Sequence, residues 1–338
     1  MGVLDHPLTP PRSSGSPLSL IIGSLCIKHP NLLGRSEKLD VSWDKGLHDS
    51  NVLIAYRRPS CKWLAQQSFV LQHSFSPEIG VHGVPIDNFS LSRSGGVNLS
   101  RFSMALDLNK TASSNWIRTT SIKFEHFHPI NDDGHSISRD LEGFPVTGSD
   151  GPHDSMVVLR EESQFAKEND HGFTQFSLQI EKGFPVLSKG LLFNRFKFVA
   201  SKGVRFGPAF LLTSLTGGSI VGAMAPYQAF AIGGLGSVRG YGKGAVGSGT
   251  SCLLANSELI FPLNKMLEGT IFLDCGTDLG SGHRVPGNPA LRRGKPGSGV
   301  GLGYGLRFKS RLVHFRVDYA INAFQQRSVY FGISNLAS

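Results

Sequence analysis

A chain of 338 residues accommodates one large domain or two ordinary ones, and 41 glycines, 23 phenylalanines and 40% hydrophobic residues at a mean hydropathy of -0.07 exclude a bundle of membrane helices and a disordered tail. No apolar run reaches the roughly eighteen residues of a membrane helix, whereas a membrane β-barrel alternates lipid-facing and lumen-facing side chains and averages to the same near-zero hydropathy. The net charge of +9 fits a solvated basic surface; the basic residues are spread along the chain with no helix-turn-helix, zinc-finger or RNP-like run, so no nucleic-acid partner is expected.

Residues 1–17, rich in Pro and Ser with no apolar core, read as a flexible leader and not as a secretory signal. From residue 18 to 338 the chain is a succession of short segments of alternating polarity bounded by Gly, Pro, Asn, Asp or Ser. Candidate strands fall near 18–27, 38–45, 51–57, 66–74, 86–94, 97–108, 117–128, 154–165, 172–182, 192–202 and 208–216, then near 251–261, 267–275, 298–308, 311–320 and 328–335. Taken singly, each reads as a half-buried strand of a soluble sandwich or barrel. Together they make sixteen, an even count of strands with lengths that suit a tilted membrane crossing, and predict an all-β, antiparallel transmembrane barrel. In 172–182, Phe176, Leu178 and Ile180 oppose Gln175, Ser177, Gln179 and Glu181; in 311–320, Val313, Phe315, Val317 and Tyr319 oppose His314, Arg316 and Asp318. Long polar connections at 129–153, 218–250 and 276–297 fit a barrel with short turns at one rim and long loops at the other.

The strand over 298–308 carries glycine at alternate positions, Gly299, Gly301, Gly303 and Gly305, with Gly297 just ahead, while Val300, Leu302, Tyr304, Leu306 and Phe308 share the other face. An inner wall without side chains leaves room for another backbone, and the glycine-rich connection over 218–250 is expected to fold into the lumen and fill it. That connection holds Ser237, Val238, Arg239, Gly240 and Tyr241. A guanidinium taken out of water needs a carboxylate. Asp274, which shares an inward face with Phe272 and Gly276, is one candidate; Glu258 is the other.

These residues resemble the BamA and Toc-channel superfamily of outer-membrane insertases and translocation pores. Its loop signature is similar to SVRGY at Ser237–Tyr241, and its F-x-D-x-G strand to Phe272, Asp274 and Gly276; further matches are NLLGRSEKL at 31–39, ANSELIFP at 255–262 and RVDYA at 316–320. Within that family the chain resembles the eighty-kilodalton chloroplast outer-envelope branch, and its length resembles the short paralogues of the thirty-six- and thirty-nine-kilodalton type, which have no POTRA domains. The resemblance implies that Arg239 reaches toward Asp274, that the chain resides in the plastid outer envelope, and that it serves protein translocation or barrel insertion. Its partners would be the lipid bilayer, precursor or barrel clients, and longer POTRA-bearing relatives.

Two other readings stay open: a passive ion or metabolite pore, in which inward Arg195, Lys197, Arg307 and Arg316 would favour anions, and a soluble β-structured binding module. No enzyme is expected. Gly242, Gly244 and Gly247 satisfy G-x-G-x-x-G, but a strand pattern follows where a dinucleotide site needs a helix. His126 and His128 share a strand face without a third ligand, and no nucleophile, base and orienter set occurs, so no catalytic residue, metal or cofactor is assigned.

Overall fold

The computed structural model describes residues 23–335 apart from 33, 47, 60–64, 88–90, 94, 114, 150, 187–189, 289–293 and 310–312. The leader expected over 1–17 therefore lies outside the described residues. Nineteen strands occur among them. They are β1 (Gly23–His29), β2 (Lys38–Lys45), β3 (Ser50–Arg58), β4 (Gln66–Pro77), β5 (Val84–Asp87), β6 (Leu91–Arg93), β7 (Asn98–Ser113), β8 (Trp116–Ile130), β9 (Asp154–Asn169) and β10 (Gly172–Pro185). After these come β11 (Phe193–Phe206), β12 (Ala209–Gly222), β13 (Phe230–Ile232), β14 (Gly247–Gly249), β15 (Ser251–Pro262), β16 (Leu267–Thr277), β17 (Ser298–Lys309), β18 (Val313–Asn322) and β19 (Arg327–Asn335). No helix among the described residues is long and apolar enough to cross a membrane, which says nothing of strands.

Fifteen strands form one antiparallel sheet in chain order, with β5 and β6 set aside as one hairpin and β13 and β14 as another. The strand expected over 86–94 is thus no part of the large sheet, and the sheet has fifteen described strands where sixteen were expected. The reason lies in the ladder: β4 pairs directly with β7 from Pro77↔Asn98 to Gln66↔Asn109, so 78–97 is an excursion from it. Within that excursion Pro85 has no N–H to donate to a sheet. Several strands also outrun the apolar alternation. β9 and β11 continue through Lys167 and Arg205 because the backbone ladder persists to the turn after the side-chain pattern stops.

Connections at one rim are short, as at 170–171, 207–208 and 263–266; the other rim carries the four long ones, at 78–97, 131–153, 223–250 and 278–297, beside short turns at 46–49 and 323–326. The long ones interlock. The Ser248 hydroxyl donates to the Gly80 carbonyl at 2.7 Å, His82 Nδ1 lies 3.2 Å from the Asp140 carboxylate, and the Tyr227 hydroxyl donates to Asp154 at 2.9 Å. Connections from strands far apart in the sheet order therefore meet, which requires the sheet to curl.

The buried apolar cluster lies between the sheet and the 223–250 connection. Met156, Val158, Phe193 and Ile220 from strands meet Met224, Phe230, Ile232, Val238, Tyr241 and Val246 from the connection. The opposite face is apolar and open: Ile180, Leu302, Tyr304 and Phe331 are 48%, 55%, 61% and 52% exposed. Large apolar side chains pointing away from the core on every other residue are the mark of a lipid-facing wall.

Candidate functional site

The 223–250 connection descends onto β15 to β19 through SVRGY, whose five residues are all buried. Ser237 Oγ accepts the Gly233 N–H at 3.2 Å, and its carbonyl accepts from Asn256 Nδ2 at 2.7 Å. Gly240 donates its N–H to the Tyr330 hydroxyl at 2.9 Å, which in turn donates to the Tyr241 carbonyl at 3.1 Å; Asn322 Nδ2 donates to the Gly240 carbonyl at 3.0 Å. Gly240 adopts φ 93, and its Cα lies so near the Asn322 backbone that both conformation and space favour glycine.

Arg239 lies over the bare face of β17. Its Nε and Nη2 grip Asp274 as a fork at 2.6 and 2.9 Å, and its backbone N–H adds a third bond to the same carboxylate at 3.2 Å. Nη1 donates to Asp318 at 3.1 Å and lies 3.7 Å from Glu258. The guanidinium sits 3.4 Å above the centre of the Phe272 ring. Burial opposes its charge, yet the bonds and charges of Asp274, Glu258 and Asp318 outweigh that cost and raise its pKa above the ordinary arginine value.

The register explains the alternate glycines. Asp274, Gly301 and Asn322 form one row across β16, β17 and β18, and Thr270, Gly305 and Asp318 form another four residues along. With no side chain on β17 between them, one arginine spans carboxylates on both neighbouring strands. A Cβ at Gly301 would overlap the Arg239 carbonyl; one at Gly299 would press on Tyr241 and Val246. At Gly303 it would meet Phe272 and the Tyr319 carbonyl, and at Gly305 Asp318. Gly276 makes room for Val238 and Ile232. Gly297, expected in the same wall, stands outside β17: with φ 73 it shapes the turn where its N–H donates to the Val246 carbonyl at 2.7 Å.

Both carboxylates proposed for Arg239 are present, at different ranks. Asp274 holds the fork, while Glu258 takes Arg307 at 2.6 Å and Arg316 at 3.3 Å. Asp318 is the partner that sequence reasoning did not single out; it also binds Arg316 Nε at 2.8 Å. The signal was present, because Arg316 and Asp318 alternate inward with Val317 outward, but pairing across β17 needs the register. Three guanidiniums thus face three carboxylates, a neutral set. His126 and His128 stand apart from it, their rings bonded to Ser155 and Ser136, and no metal-holding cluster occurs among the described residues.

A second inward hollow, about 260 Å³, lies against β4 and β7 to β11, lined by Arg101, Lys123, Glu125, Arg160, Glu181 and Arg195 among others. Arg101 is bonded to Glu125, and Lys123 reaches the same carboxylate at 2.8 Å.

A wide antiparallel sheet with an apolar outer wall, and an inner face clamped onto its own arginine-bearing connection, is the architecture of an outer-membrane β-protein. The Omp85 superfamily domain matches residues 31–335, and the chain belongs to that superfamily. It is similar to "Outer envelope protein 39, chloroplastic" of Arabidopsis thaliana, 73% identical over 97% of this chain and 90% of the relative. It is also similar to "Outer envelope protein 80, chloroplastic" of Arabidopsis thaliana, 40% identical over 95% of this chain; there it spans only 43% of the relative's length. Among solved structures it resembles BamA from Haemophilus ducreyi lacking POTRA domains 1-3, with a TM-score of 0.69 at 14% identity, over 92% of this chain and 66% of the solved one, which establishes the likeness of fold. The chain is of the chloroplast outer-envelope group.

Proposed function

We propose that the chain is a closed transmembrane β-barrel of the chloroplast outer envelope that assists translocation or membrane insertion of proteins, as an accessory to relatives bearing POTRA domains. The observation that carries this reading is the clamp of Arg239 on Asp274 and Asp318, which holds a connection inside the curl of the sheet where a passive pore would be empty. Fifteen antiparallel strands leave β1 and β19 pointing the same way, so a seam closed by antiparallel pairing takes a sixteenth strand. Edges of this kind accept added strands, and the seam is the proposed place of client contact. Refolded protein, its folding verified by heat-modifiable gel mobility, is offered an unfolded client barrel in liposomes. Faster client insertion than in empty liposomes supports an insertase that needs no helper. Acceleration only when a POTRA-bearing relative is added supports the accessory role, and no acceleration in either case refutes both.

The pore reading retains one supporting feature, the polar hollow beside β7 to β11. Its expected anion preference is weakened by geometry, since Arg307 and Arg316 are already neutralised by Glu258 and Asp318. Steady conductance of the unmodified chain in planar bilayers, with a reversal potential on the anion side, would favour the pore.

A further inference from the structure

Six exposed basic side chains share one rim of the sheet. Arg35, Arg58, Lys110, Lys167, Arg205 and Lys265 are all exposed and all lie at the short-turn rim, each on or beside a different connection. None of them makes an ion pair among the described residues. Three acidic groups of the same rim are engaged, Asp40 with Arg57 at 2.8 Å, Glu161 with Arg118 at 2.8 Å and Glu268 with Lys309 at 2.6 Å, while Glu168 and Asp170 are exposed beside Lys167. At the opposite rim the exposed charges are mixed, Asp49, Asp132, Asp133 and Glu142 standing among Arg139, Lys243, Arg284 and Arg327.

The basic groups are not alone at their rim. Trp116 packs on Phe165 with ring centroids 5.1 Å apart, and Phe206, Leu263 and Met266 are 57%, 54% and 57% exposed among the same turns. Aromatic and apolar side chains interleaved with basic ones, directly continuous with an apolar outer wall, are what the head-group layer of a bilayer selects. A partner made only of acidic side chains would be served by the charge but not by these anchors.

We infer that the short-turn rim is a binding surface for the head groups of anionic lipids, which it gathers in the leaflet it faces. The inference rests on the membrane-barrel reading above and adds to it the class of lipid and the end of the molecule that takes it. Short connections keep the basic side chains within one screening length of the head groups, whereas the long connections carry the mixed charges of the other rim away from them.

The test uses the full chain refolded into phosphatidylcholine vesicles containing trace spin-labelled phosphatidylglycerol or spin-labelled phosphatidylcholine. The motionally restricted fraction of each label reports its association with the protein, and heat-modifiable mobility reports insertion separately. The expected result is an association ratio favouring phosphatidylglycerol by about fivefold, the factor that one basic residue near an anionic surface supplies. High salt should bring the ratio toward one, as should a variant combining Arg35→Glu, Lys167→Glu, Arg205→Glu and Lys265→Glu. If that variant does not fold, the salt series and Lys265→Glu alone decide. Insertion without lipid preference, or a preference indifferent to both salt and charge reversal, overturns this inference and leaves the barrel standing. Binding of polyglutamate with no lipid preference assigns the rim to an acidic protein instead. Failure to insert into any vesicle overturns both.

Discussion

Replacing Arg239 by Ala removes the only guanidinium on Asp274 among the described residues, together with one of the two on Asp318. Both carboxylates are 0% exposed, so neither finds water in exchange. Breaking a buried ion pair by deleting one partner costs about 3–5 kcal/mol. Two features moderate the loss here: Asp274 keeps Asn256 Nδ2 at 2.9 Å and the backbone N–H of residue 239, and Asp318 keeps Arg316 at 2.6 Å. The expected cost is therefore near the lower limit, about 3 kcal/mol, or some hundredfold in the folded-to-unfolded ratio. Arg239→Lys restores charge without the fork and should recover about half of it. Urea unfolding of the bilayer-refolded chain, read by heat-modifiable mobility, measures both. With Asp274→Ala as the second mutation, the double-mutant cycle should give a coupling of at least 1 kcal/mol, roughly. A cost for Arg239→Ala below about 1 kcal/mol, or purely additive mutations, would show that the clamp does not hold the connection in place.

Gly301→Ala should destabilise by about 1–3 kcal/mol in the same titration, because its methyl collides with the Arg239 carbonyl, while Gly236→Ala, with open space around it, should change stability by less than about 0.5 kcal/mol. Tyr330→Phe leaves the Gly240 N–H and Tyr241 carbonyl without their partner and should cost about 1–3 kcal/mol; an unchanged unfolding midpoint would rule out that bridge. Burial, then the Asp154 carboxylate, holds the Tyr227 phenol well above the ordinary tyrosine value of 10.0. The unfolded chain therefore loses that proton first, so stability falls as pH rises beyond 10.0, and Tyr227→Phe should flatten the decline in a pH series of unfolding midpoints.

The outer wall was legible because a strand's side chains repeat every second residue: Phe176, Leu178 and Ile180, or Val300, Leu302 and Tyr304, announce their face without knowledge of any neighbour. The same local rule misplaced 86–94, whose described residues pair within the β5–β6 hairpin, since pairing is decided by β4 finding β7. Strand ends were underestimated for a related reason, as polarity marks where lipid ends while the ladder runs on to the turn. Asp274 could be nominated from its face and the need of a buried guanidinium for a carboxylate. Asp318 could not, because its nearness to Arg239 arises from two strands flanking a third that has no inward side chains. The place of the basic rim was hidden too, since Arg35 and Lys265 are far apart in sequence and share an end only once the sheet is ordered.

The 223–250 connection has a mechanical consequence. It is fastened to β16 and β18 through Arg239, to β19 through Tyr330, to β9 through Tyr227 and to the 78–97 connection just past β4 through Ser248. Among the described residues β1, β2 and β3 carry no such tie and are held by their ladders and side-chain pairs alone. Under load the molecule divides into a stiff block from β4 onward, braced across its interior, and a compliant margin of three strands. Pulled from its amino end in a bilayer, it should yield first in small steps as that margin peels strand by strand, and then in one large rupture when the internal brace lets go.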